Sequence, residues 1–192
     1  MALLVALLSA YLLGSIPTAL LVARKLGSID IRTVGDGNMG AHNVKAQFGW
    51  RAGIVVAAVD FSKGALAVAI AQLLSLELGW QVLALTFAVL GHDFPIFAGL
   101  HGGQGLATTL GGLLVLANFE MLVGLLIYGV LYLITRNSDL GAGIGTGTAV
   151  LLMWLRGQPL LLVLGAVMVI LIIPAKFMLD RPHRAHIHSN SL

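Results

Sequence analysis

No cysteine occurs anywhere in the 192 residues. That excludes disulfides, a thiol nucleophile and thiolate metal sites, and it leaves the compartment open. Charge is the second scarcity: Asp, Glu, Lys and Arg make up 10% of the chain, where a soluble domain carries about 25%. Hydrophobic residues make up 58%, and the mean hydropathy is +0.97. A chain this poor in charge cannot dress a water-facing surface, so it reads as an integral membrane protein. A basic leader is missing as well. The first apolar run continues past signal-peptide length with no basic n-region, so it reads as a first span. There is no Walker loop, no Gly-x-Ser-x-Gly elbow and no His-Glu-x-x-His. The formal net charge of +3 points to no nucleic acid, because cationic residues of a membrane protein first report orientation.

What is present is oil in blocks. Apolar segments are predicted at about residues 2–23, 53–74, 82–97, 106–117, 121–134, 141–155 and 160–178, which makes seven spans. The expectation is an all-α polytopic protein, one membrane-embedded domain over residues 1–192. Several later segments are short enough to be tilted, thinly spanning or partly re-entrant. Gly14-Ser15-Ile16-Pro17 predicts a break in the first helix, tolerated where neighbours satisfy the freed backbone groups. Close helix packing is expected at the Gly141–Gly145 spacing.

Basic residues are distributed unevenly. Arg24, Lys25, Arg32, Lys45 and Arg51 crowd the first loop, Arg136 sits in the fifth, and Lys176, Arg181 and Arg184 follow the last span. The loops around 74–79 and 118–120 carry only acids, and the sixth has Arg156 alone. This asymmetry predicts an outside N-terminus, with the first, third and fifth loops and the C-terminus cytoplasmic. The basic, His-rich tail at 179–192 fits a segment lying on anionic headgroups better than a metal site, since residues 181–188 contain no Asp or Glu.

Two polar glycine-rich loops interrupt the oil, at about 24–52 and 98–106. The first holds Gly35-Asp36-Gly37-Asn38-Met39-Gly40-Ala41-His42-Asn43-Val44, and the second His101-Gly102-Gly103-Gln104-Gly105. Glycines let a backbone gather several N–H groups at one point, and such a concavity binds anions, phosphate above all. Asn38 and Asn43 add side-chain donors and acceptors. By the charge asymmetry both loops face the same side. Asp60 and Lys63, three apart on one helix face, are placed to pair. His92 and Asp93 fall where the third span meets Phe94-Pro95. Asp36, His42, His92 and His101 offer ligands for a divalent metal such as zinc, against the simpler reading of four independent polar residues; no metal is assigned.

These residues carry a resemblance. Gly14-Ser15-Ile16-Pro17, Asp30-Ile31-Arg32, the glycines and asparagines of 35–44, Asp60-Phe61-x-Lys63-Gly64, Gly91-His92-x-Phe94-Pro95 and Gly102-Gly103-x-Gly105-x-Ala107-Thr108 occur in order over most of the chain. The chain resembles the bacterial acyl-phosphate:glycerol-3-phosphate acyltransferases, the PlsY family. The resemblance implies a multi-pass enzyme of the bacterial plasma membrane with cytoplasmic site loops. It would move an acyl chain from acyl phosphate to the primary hydroxyl of glycerol 3-phosphate, yielding 1-acyl-glycerol 3-phosphate for phospholipid synthesis. It implies no cofactor and no metal. The partners are the two substrates and membrane lipid, with no nucleic acid, and the chain is expected to be a monomer. Carried over residue by residue, Asp36, Asn38, His92 and Gln104 take catalytic positions. Gly35, Gly37, Gly40, His42, Asn43, Asp60, Lys63, His101, Gly102, Gly103, Gly105 and Thr108 take substrate-binding ones. The second-loop glycines are expected to present amides to a phosphate.

The chain departs from the family pattern at the expected anion site. Ser is replaced by Asp36, Thr by His42 and two Lys by His101 and Gln104, and an Arg after Asn43 by Ala46 beside Lys45. The polar, serine-containing stretch expected near the sixth span is 141–146 here, and a basic C-terminal element survives as His183-Arg184-Ala185-His186-Ile187. A like charge about 4 Å from a phosphate costs about 1 kcal/mol in water and about 4 kcal/mol at an effective dielectric of 20. Three readings follow: a working acyltransferase with an altered phosphate site, an impaired paralogue that binds lipid, acyl phosphate or a partner enzyme, and a membrane transporter or a transferase with another acceptor.

Overall fold

The computed structural model describes the backbone of residues 1–189 and the side-chain surroundings of residues 1–180. The regular elements of the described residues are all helical: α1 (Ala2–Gly14), α2 (Thr18–Gly27), α3 (Ala41–Phe48), α4 (Trp50–Leu73), α5 (Leu78–Asp93), α6 (Leu106–Leu116), α7 (Asn118–Thr135), α8 (Ser138–Leu155) and α9 (Leu160–Ser189), with 3₁₀ turns at Ile31–Thr33 and Ile96–Ala98. The headgroup reading of the tail concerns side chains outside the described residues.

Every predicted apolar segment folds as helix, and the helices differ in how far they can reach across a membrane. Five stretches are long and apolar enough to cross: Ala2–Gly27, Trp50–Leu73, Leu78–Ala98, Asn118–Thr135 and Leu160–Asp180. The 11 residues of α6 rise only about 16 Å at 1.5 Å each, half the ~30 Å hydrocarbon core. Helix α8 reaches 18 residues, but Ser138, Asp139 and its glycines and threonines dilute its oil. The predicted break separates α1 from α2: Pro17, with no N–H to donate, stands at the N-cap of α2.

Small residues set the packing. A Cβ on Gly14 would lie 2.1 Å from the carbonyl oxygen of Ala88, and one on Gly91 would lie 2.3 Å from that of Tyr11. Backbone therefore touches backbone between α1 and α5. Helices α4 and α6 are joined the same way, with Gly64 against the Thr108 carbonyl and Gly111 against that of Phe61, at 1.8 and 1.9 Å from the added Cβ. Gly145 of α8 meets Gly124 of α7 at 2.5 Å on the same measure, the tight crossing that small residues permit. An alanine layer, Ala6, Ala10, Ala67, Ala71, Ala84 and Ala88, fills the seam of α1, α4 and α5. Larger side chains, among them Leu85, Leu113, Met121 and Met153, pack between α5, α6, α7 and α8. The outward faces of α7 and α9 expose Leu126, Leu133 and Met168 by about two thirds, as helices facing lipid do. Short α6, braced on α4, brings the second glycine loop to the end of α5.

Candidate active site

The first glycine loop is organised by Asn43, in the first turn of α3. Its side-chain amide donates to the carbonyls of Ile31 and Val34 at 3.0 Å and of Asn38 at 3.1 Å. Gly35 and Gly37 have φ of +62° and +70°, the left-handed region glycine enters without strain. A Cβ on Gly35 would fall 2.1 Å from Asn43 Oδ1. The Asn43 amide nitrogen is thereby committed to holding the loop shut, while its Oδ1 has no partner from the protein. Asp36 Oδ1 accepts from the Asn38 N–H at 2.9 Å. This is a local turn bond that a serine hydroxyl also makes, so the loop keeps its shape despite the added charge. His42 is exposed on α3.

Arg32 ties this loop to the second. It donates from Nε and Nη2 to the carboxylate of Asp30 and from Nη1 to the carbonyl of Ala98 at 2.8 Å. The guanidinium bonds beside Asp30 hold its carboxyl below the ordinary value of 3.8.

Beneath the loops is a buried polar core. Lys63 Nζ donates to Asp60 Oδ1 and to the carbonyl of Ile16, both at 2.6 Å. The helix break at 14–17 therefore supplies an acceptor for a lysine within the membrane-spanning α4, where unpaired charge is costly. Thr108 Oγ1 donates to the Asp60 carbonyl at 3.0 Å. Thr108 is fully buried, and its hydroxyl joins α6 to α4. His92 Nδ1 lies 3.8 Å from Asp60 Oδ1.

The second loop folds back over the end of α5. Gly102 N–H donates to the Asp93 carbonyl and Gly103 N–H to the His92 carbonyl, both at 3.1 Å. These two amides are used on helix-terminal carbonyls that have no partner inside the helix. The amides that remain for an anion lie farther on. Gly105, at φ +69°, is the N-cap of α6, and first-turn N–H groups of a helix have no intrahelical acceptor.

The two loops meet at one histidine. A Cβ on Gly103 would sit 2.2 Å from His92 Nε2 and 2.9 Å from the Met39 carbonyl of the first loop. Around this junction Asn38 Oδ1, Asn43 Oδ1, both Asp93 carboxylate oxygens and Gln104 Nε2 are buried with no hydrogen-bond partner from the protein. Buried polar atoms are normally paired, so this cluster has bonding capacity left for a polar ligand. His101 Nδ1 lies 2.7 Å from the Gly99 carbonyl. Among the described residues no three His, Asp or Glu side chains converge to hold a metal, so Asp36, His42, His92 and His101 do not form such a site.

Other contacts were hidden in the sequence. Tyr11, in an apolar span, donates to the Phe94 carbonyl at 2.8 Å and fixes the turn that follows His92. Lys45, beside the missing arginine, donates to Tyr132 at 2.7 Å and lies 3.7 Å from the Trp50 ring centroid. Lys176 of α9 lies 5.1 Å from the ring centroid of Phe94. Neither aromatic contact leaves a spacing that sequence alone displays.

Known proteins share this arrangement. A family model described as glycerol-3-phosphate acyltransferase matches residues 4–188. "Glycerol-3-phosphate acyltransferase 2" of Dehalococcoides mccartyi is 40% identical over 168 residues, covering 88% of this chain and 80% of that one. A crystal structure of PlsY (YgiH), an integral membrane glycerol 3-phosphate acyltransferase in its glycerol 3-phosphate form, superposes with a TM-score of 0.86. It is 29% identical and covers 99% of this chain and 94% of its own. The lysophosphatidic acid form of the same protein superposes with a TM-score of 0.83 at 28% identity, over 99% of this chain and 93% of its own. The chain belongs to the glycerol-3-phosphate acyltransferase family.

Proposed function

We propose that the chain transfers an acyl group from acyl phosphate to the primary hydroxyl of glycerol 3-phosphate. The products are 1-acyl-glycerol 3-phosphate and inorganic phosphate. The observation that carries this reading is the junction at His92, where both glycine loops meet over the Asp60–Lys63 pair. Relatives solved with glycerol 3-phosphate and with lysophosphatidic acid support the acceptor and the product.

The chemistry asks little of the protein. Acyl phosphate is an activated mixed anhydride, so no covalent enzyme intermediate is required. The hydroxyl oxygen bonds to the carbonyl carbon, the bond from that carbon to the phosphate oxygen breaks, and the hydroxyl proton leaves with the phosphate. The protein's part is to hold hydroxyl against carbonyl and to stabilise the developing oxyanion. His92 is assigned a bond to a substrate oxygen, with the carboxylate of Asp60 on the side of its Nδ1. Asn38 and Gln104, with polar atoms unpartnered by the protein, are assigned direct contacts to substrate. Gly105 and the start of α6 are assigned the phosphate amides, and Gly40 with Met39 the floor of the acceptor pocket. The loops are assigned to the cytoplasmic face of the bacterial plasma membrane by the basic residues of 24–51, and residues 1–192 are assigned to one membrane-embedded domain. Acyl tails reach the site from the apolar faces of the bundle.

Gln104 in place of a lysine favours a second reading, a binding protein that no longer turns substrate over. Mass-spectrometric detection of 1-acyl-glycerol 3-phosphate from palmitoyl phosphate and glycerol 3-phosphate separates the two. Product formed by purified protein supports the enzyme, and its absence supports the binder.

A further inference from the structure

Between the end of α5 and the second glycine loop the chain makes an oily knuckle, Pro95-Ile96-Phe97-Ala98-Gly99-Leu100. The bonds that join the Gly102 and Gly103 amides to the Asp93 and His92 carbonyls close it at its base. Inside it, the N–H groups of Ala98 and Leu100 both donate to the Pro95 carbonyl, at 3.1 and 2.9 Å. Arg32 holds the Ala98 carbonyl from the first loop, and Ala98 is buried in the cluster that contains Ala23 and Ile31. The small side chain points inward and the large ones are left outside: Ile96, Phe97 and Leu100 are 57, 60 and 54% exposed.

Leu100 is held there against its backbone preference. Its φ is +62°, a region that bulky side chains seldom enter. Ser28, Ser75 and Arg136 share it, but they stand at or just after the C-caps of α2, α4 and α7, where a left-handed residue ends a helix. Leu100 follows only a 3₁₀ turn, whose C-cap Gly99 is already left-handed at +66°. Glycine or asparagine would make this turn with less strain. What leucine adds is oil turned outward, and strain of this kind gathers at ligand clamps.

The knuckle borders the reaction junction. Leu100 is three residues from Gly103, so their Cα atoms are at most about 11 Å apart, and Gly103 packs on the His92 ring. A substrate carbonyl at His92 therefore puts a fatty tail within reach of the knuckle. The loops offer that tail little else, since the first brings Asp36, Asn38 and His42 and the second His101 and Gln104. The apolar stretch of α5 runs from Leu78 through Ala98, which sets the knuckle at the edge of the hydrocarbon, where a lipid-borne tail arrives.

We infer that Ile96, Phe97 and Leu100 seat the acyl chain of the acyl phosphate and set the chain length this protein prefers. The inference rests on the acyltransferase reading for the identity of the tail. Each methylene fully buried adds about fourfold in affinity, so a seat for the tail shows itself as a dependence on chain length.

The test uses the full chain in detergent, with Phe97→Ala, Leu100→Gly and, as control, Leu126→Ala at a residue 68% exposed on α7. For each, kcat/KM is measured with octanoyl, dodecanoyl and palmitoyl phosphate, and Kd with the matching non-transferable acyl phosphonates. Phe97→Ala and Leu100→Gly are each expected to lower the palmitoyl-to-octanoyl ratio by about tenfold, in kcat/KM and in affinity. KM for glycerol 3-phosphate stays where it was, and Leu126→Ala keeps the ratio of the unmodified chain. Leu100→Gly relieves the backbone, so its effect is not that of a strained fold, and Leu100→Asn, which also accepts the left-handed region, is carried through the same measurements. An unchanged ratio in either knuckle variant overturns the inference. So does an equal loss at every chain length, which marks a structural role, and so does an equal fall in Leu126→Ala, which marks lipid contact in general. If the unmodified chain binds the phosphonates but gives no product, the acyltransferase reading falls while the Kd ratios still decide the knuckle. If it turns over and the ratios do not move, the inference falls and the reading stands. A chain that binds none of the phosphonates sinks both.

Discussion

His92 Nε2 lies 2.2 Å from the point where a side chain at Gly103 would begin, so the imidazole keeps its place only because position 103 has none. The same point is 2.9 Å from the Met39 carbonyl, which denies the ring an easy retreat toward the first loop. Gly103→Ala is expected to displace His92 and lower kcat/KM by about a hundredfold, the scale of an approximately 1 Å misplacement of a reacting group. The thermal midpoint should fall by only a few degrees. Equal activity in the variant would show that the position of His92 is not critical.

Asn43 holds three carbonyls with one amide nitrogen. Asn43→Ala leaves those buried acceptors without their donor, at about 1–3 kcal/mol for each group left unsatisfied. Asn43→Asp is expected to be worse, because it replaces the donor with a carboxylate oxygen facing the same carbonyls. Thermal melts in detergent check the order: unmodified chain above Asn43→Ala above Asn43→Asp.

The α4–α6 contact predicts a stability effect away from the chemistry. Gly64→Ala would drive a Cβ to 1.8 Å from the Thr108 carbonyl, against backbone that cannot rotate aside. Overpacking of this kind costs about 1–3 kcal/mol and sometimes more. Gly143→Ala, where an added Cβ meets nothing within 4 Å, is the control and should melt with the unmodified chain.

The Asp30–Arg32 pair gives a pH dependence of definite sign. Hydrogen bonds from Arg32 depress the folded-state titration of Asp30 below its ordinary 3.8. A depressed carboxyl stabilises the fold above its unfolded value, and that contribution is lost as pH falls through the folded value. The melting temperature of the unmodified chain should therefore carry an acid-labile component below pH 3.8. Asp30→Asn should melt lower at neutral pH and lack that component. Parallel curves for the two proteins would contradict this.

The helical, membrane-embedded fold was legible because oil and charge are segregated so sharply along the chain. The helix break at Pro17, the pairing of Asp60 with Lys63 and the approach of the two glycine loops were legible too, from spacing and motif order. The shortness of α6 was legible as well, from the brief apolar run at 106–117. The internal hydrogen bonds of Asn43, Thr108, Gly102 and Gly103 were not, since these polar groups look free in the sequence and meet carbonyls in the fold. A backbone donor's partner depends on where the chain turns, and residue identity carries no record of that. Tyr11 went unread for the opposite reason, since it sits in an apolar run and meets the turn after His92 only through helix packing.

The most direct test of acyl transfer is release of inorganic phosphate from palmitoyl phosphate by the purified chain, with and without glycerol 3-phosphate. The unmodified protein should release phosphate in proportion to acceptor, and Asp36→Ser/Gln104→Lys should do so at lower substrate concentration. No release from the unmodified chain, or release indifferent to glycerol 3-phosphate, would contradict the assignment.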